Sequence, residues 1–215
     1  MSTTIQLAQG CLYHIYNRGI NSSQIFFENQ NYQYFLQLYA KYMIEVFDTY
    51  AYCLLGNHYH FAIRVKTDSE RQKHLAKDLE MGLISRSEYE KKKLLKPAYH
   101  HFNAMQIAYT KSINKKFKRT GGLMERPFRR KPVENIAYFL NLIAYIHQNP
   151  QKHGIVDHFE EWPWSSYGAY PSEQDTKLQK EVVLDWFGGS REFFDFHQLD
   201  ADEVMIAPII ADDLI

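Results

Sequence analysis

Cysteine is scarce in this chain: its 215 residues include only Cys11 and Cys53, both among apolar neighbours. Two such cysteines do not make a disulfide framework or a cysteine-rich zinc site. The opening residues, MSTTIQLAQG, lack the basic-then-apolar pattern of a secretory leader. No apolar run approaches the roughly 18 residues that cross a bilayer. We therefore expect a cytoplasmic protein without a membrane-spanning segment.

Internal repeats and low-complexity tracts are also lacking. The composition is that of a folded protein, with 45% apolar and 15% aromatic residues, including 16 Tyr and 14 Phe. Aromatic side chains bury large apolar areas, so they supply much of a core. The length fits one well-buried domain, with room for a small appendage.

Net charge is absent, because 25 basic residues balance 25 acidic ones, but the two signs are separated along the chain. Residues 111–131 hold nine basic side chains and one acidic side chain, whereas residues 192–215 hold seven acidic and no basic ones. Phe117, Met124 and Phe128 interleave with the basic residues. This mixture is typical of a nucleic-acid groove, although a solvated surface is the alternative. The candidate DNA-binding residues are Arg18, Lys115, Lys116, Lys118, Arg119, Arg126, Arg129, Arg130 and Lys131.

Aromatic and β-branched runs predict strands, and bulky residues at helical spacing predict helices. Gly56 and Asn57 suit the turn of a hairpin, and Ser85 with Glu88 suits a capping box within a helix-rich insertion at about 67–100. The other predicted elements are a strand at 11–19, a helix around 34–46, strands at 49–55 and 58–66, a helix around 102–117, an edge strand at 126–133 and a helix at 134–149 bounded by Pro150.

This order predicts an α+β fold of the ferredoxin-like, or split βαβ, class, which is an antiparallel four-stranded sheet, here with one added helix. We expect helices on one face of the sheet and other structure on the opposite face. A polar stretch follows WPWSSYGAY at 162–170. We therefore assign residues 1–172 to the main domain and residues 173–215 to a short C-terminal helical extension with an acidic tail.

His58 and His60 are the first candidate functional residues. Alternate residues of a strand face the same way, so the two imidazoles lie side by side and can bind a metal ion. The pair alone is a weak signal in a chain with ten histidines. Asn149 offers a third ligand, and Tyr145, four residues earlier, lies on the same helix face. Taken singly, Tyr145 can equally be a packed core residue and Asn149 a helix terminator.

Two histidines and a carboxamide are neutral ligands, so a bound cation keeps its full charge and has open positions for phosphate oxygens. Such a site can bind a phosphodiester and present its phosphorus to the Tyr145 hydroxyl. The product is a tyrosine joined to a DNA phosphate. The two imidazoles favour Mn²⁺ slightly over Mg²⁺.

Several motifs carry a family resemblance, in this order: YHIYNRGINSSQIFF, CLLGNHYHFAI, KRTGGLMERPFRRKPV, AYIHQNP, KHGIV and WPWSSYGAY. The chain resembles the REP-associated tyrosine transposases, which are single-tyrosine HUH transposases, over roughly residues 10–170. Two features depart from the family pattern. Tyr59 stands where a plain hydrophobic residue is usual between the histidines, and the stretch 67–100 is longer than a minimal member needs.

The resemblance implies that His58, His60 and Asn149 bind Mn²⁺ or Mg²⁺. It implies that Tyr145 is the nucleophile on an added catalytic helix. Relatives of this kind cut single-stranded DNA near a hairpin through a 5′-phosphotyrosine intermediate, and the same ferredoxin-like fold is implied. The partner is then hairpin-bearing single-stranded DNA, and the protein acts as a monomer or a homodimer.

Alternatives of two kinds stay open. One is a nucleic-acid-binding module that does not cut, or a domesticated host DNA-processing protein with the same fold. The other is a hydrolase that uses water as its nucleophile. We expect Trp162 and Trp164 to serve in packing. We place His147, Gln148, His153 and His158 at the surface or just behind the site.

Overall fold

The sheet of this protein has four antiparallel strands in the order β2-β3-β1-β4. The structure is a computed structural model that describes residues 5–202 together with residues 205 and 207. Its elements are β1 (Leu12–Arg18), α1 (Asn29–Met43), β2 (Phe47–Leu55), β3 (His58–Val65), α2 (Asp68–Glu80), α3 (Arg86–Lys92), α4 (Ala98–Lys116), β4 (Arg129–Val133), α5 (Ile136–Lys152), α6 (Lys180–Phe187) and α7 (Ser190–His197). The predicted α+β, ferredoxin-like fold is confirmed. None of the helices in the described ranges is long and apolar enough to cross a membrane.

Strand alternation separates two apolar cores, one on each face of the sheet. Tyr59, Phe61 and Ile63 of β3 point to one face, where they pack with residues of α1 and α4. His58, His60 and Ala62 point to the opposite face, and Ala62 packs there with residues of α5. Residues of α6 and α7 join this second core, so helices cover both faces of the sheet, and the expectation of helices on one face only is wrong.

Tyr59, the residue that departs from the family pattern, lies fully buried in the core formed with α1 and α4. Its ring contacts Phe35, with 5.0 Å between the ring centroids. The Tyr59 hydroxyl makes no hydrogen bond of normal geometry. Burial raises the pKa of this phenol well above its usual value, so it stays neutral.

The helix α5 begins at a cap, because the Asn135 side chain accepts a hydrogen bond from the Ala137 N–H at 2.7 Å. The helix then continues through Pro150 to Lys152, so the predicted stop at 149 is wrong by one turn. Pro150 lacks a backbone N–H and so forfeits one helical hydrogen bond, and only Gln151 and Lys152 follow it in α5. Helical hydrogen bonding continues after Pro150, since the His153 N–H donates to the Asn149 carbonyl at 3.0 Å.

The predicted helix-rich insertion contains α2 and α3, and each of them begins with a capping box. Thr67 and Glu70 cap α2, and Ser85 and Glu88 cap α3 as the sequence predicts. The side chains at each end exchange hydrogen bonds with the backbone N–H groups of the first turn, which lets short polar helices form.

The open edge of β2 is covered by the segment that contains Trp162 and Trp164. The Leu54 N–H bonds to the Trp164 carbonyl at 3.0 Å, and the Trp162 indole N–H donates to the Leu54 carbonyl at 2.9 Å. Trp164 also stacks on Tyr32 at 4.8 Å. Both tryptophans are packing residues, as predicted, and together they occupy a strand edge that would otherwise be exposed.

The C-terminal helix α7 is attached to α5 by buried polar contacts. His147 Nδ1 lies 2.9 Å from His197 Nε2, and the Gln148 Nε2 donates to the His197 carbonyl at 3.0 Å. His147 and Gln148 are therefore buried under α7 rather than at the surface, because the docking of α7 covers that face of α5. The boundary at residue 172 stays a prediction, and most of the predicted acidic tail lies outside the described residues.

Candidate active site

His58 and His60 begin β3 and face the same side of the sheet as α5. The antiparallel register places His58 opposite Arg18 and His60 opposite Tyr16 on β1. The two imidazole centroids are 5.1 Å apart, with the rings nearly perpendicular. His58 is half-buried and His60 is almost fully buried. The shared face that strand alternation predicts is thus present in the fold.

Hydrogen bonds to the Nδ1 atoms orient both rings. His58 Nδ1 lies 2.6 Å from the Asn57 Oδ1, and His60 Nδ1 lies 3.0 Å from the Nε2 of His14. A metal bond from either ring would therefore come from Nε2. Histidines that bind metals usually have their other ring nitrogen held in this way.

Burial keeps both imidazoles neutral, which is the form that binds a metal ion. Burial, together with smaller contributions from the neighbouring His153 and Arg18, lowers the pKa of His58 to about 3, while the Asn149 carboxamide opposes this change. Burial, helped by His58 and His14, holds the pKa of His60 well below its ordinary value. Neither ring has to lose the second proton of an imidazolium at neutral pH before it can act as a ligand.

Asn149 offers the third ligand from the last turn of α5. Its Nδ2 donates to the main-chain oxygen of Tyr145 at 3.0 Å, so the amide orientation is fixed. Its Oδ1 is buried and makes no hydrogen bond of normal geometry. A buried acceptor without a donor is uncommon, and a cation at this point would satisfy it.

The donor set fits a divalent cation only when this carboxamide is included. Across residues 5–202, 205 and 207, no group of three or more His, Cys, Asp or Glu is placed to hold a metal ion. Two imidazoles and one amide oxygen are suitable ligands for Mn²⁺, and with more water or phosphate oxygen they also suit Mg²⁺.

Tyr145 lies one helical turn before Asn149, beside the histidines. Its ring centroid is 6.2 Å from that of His60, and the Lys152 ammonium lies 5.3 Å from the centre of the phenol ring. The residue is only 3% exposed and belongs to the second core. The ring is thus largely shielded from solvent. The role of Tyr145 as nucleophile stays a prediction.

Two further histidines border the site. His153, at the end of α5, has its ring 4.9 Å from that of His58, which agrees with its predicted place near the site. His14, on β1, contacts His60 and was not singled out from the sequence. Alternation along YHIYNR puts His14, Tyr16 and Arg18 on one strand face, and antiparallel pairing with the His-x-His strand would have indicated this contact.

The fold divides the candidate DNA-binding residues into two groups. Arg129 and Lys131 of β4 pair with Tyr16 and His14, so their side chains share the face that carries the histidines. Arg18 belongs to this group, and it shares the carboxylate of Glu125 with Arg129, at 2.9 and 3.1 Å.

The second group lies away from the histidines. Lys115 and Lys116 end α4, which packs on the opposite face of the sheet, and Lys118 and Arg119 follow directly. Lys116 is paired with Glu28, and the Arg119 guanidinium lies 5.7 Å from the centre of the Phe27 ring. Arg126, in the loop before β4, is exposed and belongs to neither group.

Arg130 also belongs to the second group, because it alternates with Arg129 and Lys131 along β4. Its guanidinium lies 4.6 Å from the centre of the Phe128 ring. Burial lowers the pKa of Arg130 from its usual value, although it stays charged. These contacts favour a packing role for Arg130 over the predicted contact with DNA.

Comparisons with known proteins support the fold. No family model matches the chain, and no curated protein matches it. Among solved structures, the chain is similar to a REP-associated tyrosine transposase bound to a REP hairpin. The TM-score is 0.57 at 16% sequence identity, and the match covers 80% of this chain and 87% of that chain. At this identity the comparison establishes a shared fold.

Proposed function

We propose that this protein is a metal-dependent single-stranded DNA endonuclease and strand transferase, a transposase that cuts near DNA hairpins through a 5′-phosphotyrosine intermediate. The observation that carries the proposal is the convergence of two neutral imidazoles, a buried amide oxygen and a phenol. These groups come from β3 and α5: the two imidazole rings lie 5.1 Å apart, the Tyr145 ring lies 6.2 Å from that of His60, and the Asn149 carboxamide is close enough to His58 to raise its pKa. The fold shared with a hairpin-bound tyrosine transposase supports the same function.

His58, His60 and Asn149 would hold the cation, which is Mn²⁺ or Mg²⁺. The bound ion supplies positive charge that binds and polarises a phosphate oxygen. The protein positions these ligands. The β2–β3 hairpin holds both histidines, and the hydrogen bond from Asn149 to the Tyr145 carbonyl orients the amide oxygen. Hydrogen bonds at both Nδ1 atoms leave Nε2 as the donor of each ring.

In the cleavage step, the Tyr145 oxygen attacks the phosphorus of a phosphodiester. A bond forms between this oxygen and phosphorus, and the bond from phosphorus to the 3′ oxygen breaks. The phenol proton passes to solvent, and the departing 3′ oxygen takes up a proton. One phosphate ester replaces another, so a 3′ hydroxyl can later reverse the reaction and join strands without an external energy source.

DNA binding would use the basic residues on the histidine face, namely Arg18, Arg129 and Lys131. The basic end of α4 offers a second contact for a hairpin longer than the site itself. Phosphate contacts of this kind give binding that weakens with salt. Since Tyr145 is 3% exposed, bound DNA must also stabilise a conformation in which the phenol is accessible.

A second candidate function is a nucleic-acid-binding module that does not cut. The burial of Tyr145 favours it, because a phenol that never leaves the core cannot attack a phosphate. The two candidates share the basic face and differ in covalent chemistry.

The test is a denaturing gel for covalent attachment to a labelled hairpin-bearing single strand, with Mn²⁺, with Mg²⁺ and with chelator. We expect an adduct with the unaltered protein and metal, and none with Tyr145→Phe. Tyr138→Phe is the matched control, because it removes a phenol hydroxyl from the exposed part of the same helix. An adduct that persists in Tyr145→Phe would refute the nucleophile. Metal-independent binding without any adduct would favour the binding module, and cleavage without an adduct would favour a hydrolase.

A further inference from the structure

His14 is a buried histidine of β1 to which the proposed cleavage chemistry gives no role. It has no exposed surface, and it faces the same side of the sheet as His58 and His60. In the antiparallel register His14 pairs with Ala62 and Tyr16 pairs with His60. His14 is therefore the diagonal neighbour of His60, a position from which ring-sized side chains can touch.

The contact between the two histidines is a hydrogen bond between defined atoms. His14 Nε2 lies 3.0 Å from His60 Nδ1, and the two rings are within 18° of parallel. Tyr16 stacks on His14 at 4.6 Å, which restrains the plane of the His14 ring. His14 is 0% exposed and His60 is 1% exposed, so water does not compete for this bond.

Only one proton can lie between these two nitrogens. If the proton is on His60 Nδ1, then His60 Nε2 has a lone pair and can bind a cation. If the proton is on His14 Nε2, then a neutral His60 carries its own proton on Nε2, and that nitrogen cannot be a ligand. The position of this proton, on His60 Nδ1 or on His14 Nε2, thus determines whether His60 Nε2 can bind a cation.

We propose that His14 is a positioning residue of the metal site, which accepts a hydrogen bond from His60 Nδ1 and so holds His60 in the tautomer whose Nε2 binds a divalent cation. This inference rests on the proposed function, because it requires that His60 is a ligand. Such partners of metal-binding histidines typically change metal affinity by about 10- to 100-fold when they are removed.

The experiment is isothermal titration calorimetry with MnCl₂ on the full chain without DNA. His14→Phe keeps an aromatic ring against Tyr16 but removes the acceptor nitrogen, and we expect Mn²⁺ to bind about 10- to 100-fold more weakly. His14→Gln places an amide oxygen near the position of Nε2, so we expect most of the affinity to return. His100→Phe is the control, since this exposed histidine lies on α4, which packs on the other face of the sheet.

Failure of the inference and failure of the proposed function give different results. If the wild type binds Mn²⁺ and His60→Ala does not, but His14→Phe binds within twofold of the wild type, then only the role of His14 is overturned. If the wild type binds no better than His60→Ala, then the metal site itself is refuted, and this inference with it.

A second measurement covers the case in which His14→Phe does not fold. Long-range ¹H–¹⁵N spectra of histidine-labelled wild-type protein with Mg²⁺ report which ring nitrogen carries a proton. We expect a proton on His60 Nδ1 and none on His14 Nε2. A proton on His14 Nε2 in the metal-bound protein would overturn the inference.

Discussion

Asn149 donates a hydrogen bond from Nδ2 to the main-chain oxygen of Tyr145, 3.0 Å away. The bond joins the proposed third ligand to the proposed nucleophile one turn earlier in α5. Because Nδ2 is used in this bond, Oδ1 is the carboxamide atom that remains available as a ligand. Oδ1 has no hydrogen bond of normal geometry.

Asn149→Ala should therefore weaken the binding of Mn²⁺ without DNA by at least tenfold, which corresponds to about 1.4 kcal/mol. The variant removes one of the three proposed protein ligands and leaves the two imidazoles in place. Isothermal titration calorimetry measures the change. Asn141→Ala, an asparagine on the same helix, should bind as the wild type does. Equal affinities of Asn149→Ala and the wild type would show that the amide is not a ligand.

The basic residues on the histidine face should dominate binding to a DNA hairpin. Replacing Arg129 and Lys131 together with alanine should lower the magnitude of the slope of log K against log salt by about 1.4–1.8, because two phosphate contacts are lost. Fluorescence anisotropy over a range of KCl concentrations measures this slope.

The control for this change is Arg86→Ala with Lys91→Ala on α3, which removes the same charge from the insertion. If that pair lowers the slope equally, the effect reflects general charge and the histidine face is not the DNA interface. A loss confined to the α3 pair would instead assign DNA binding to the 67–100 insertion.

The buried histidine pair under α7 should make the protein sensitive to acid. Burial lowers the pKa of His197 to about 4 in the folded protein, against an ordinary value of about 6.5. Between these two values the unfolded chain binds a proton that the folded chain does not, so stability falls as pH falls through this window. His197 alone should remove about 2 kcal/mol between pH 7.5 and pH 5, and His147, whose pKa burial also lowers, acts in the same direction.

Urea unfolding in the presence of EDTA at the two pH values measures this change. His197→Phe should show a smaller difference between pH 7.5 and pH 5 than the wild type, whereas His100→Phe should keep the full difference. If His197→Phe and the wild type lose the same stability on acidification, then the buried pair is not its source.

The cap of α5 should affect stability without affecting the site. Asn135→Ala removes the side chain that accepts the Ala137 N–H, so it should lower the free energy of unfolding by about 1 kcal/mol. Asn149 lies at the other end of the helix, so the Mn²⁺ affinity of the folded variant should not change. A loss of metal affinity in Asn135→Ala would indicate that the helix end and the ligand are coupled.

Local periodicity made much of the fold and the core of the site predictable. The four strands, their ferredoxin-like order and the capped helix at Ser85 were predicted from alternation, helical spacing and capping signals. The same two periodicities placed His58 with His60 on one strand face, and Tyr145 with Asn149 on one helix face. The error at Pro150 arises because a proline indicates that a helix boundary is near without fixing its residue, and α5 continues for two residues beyond it.

By itself, the sequence determined which side chains share a face of one element, because chain geometry repeats every two or 3.6 residues. Only the tertiary structure decided which faces meet. The contact of His14 with His60 depends on strand register, the burial of Tyr145 depends on the second core, and the burial of His147 depends on the docking of α7. These outcomes arise from packing between segments distant in the chain, and no local period encodes them.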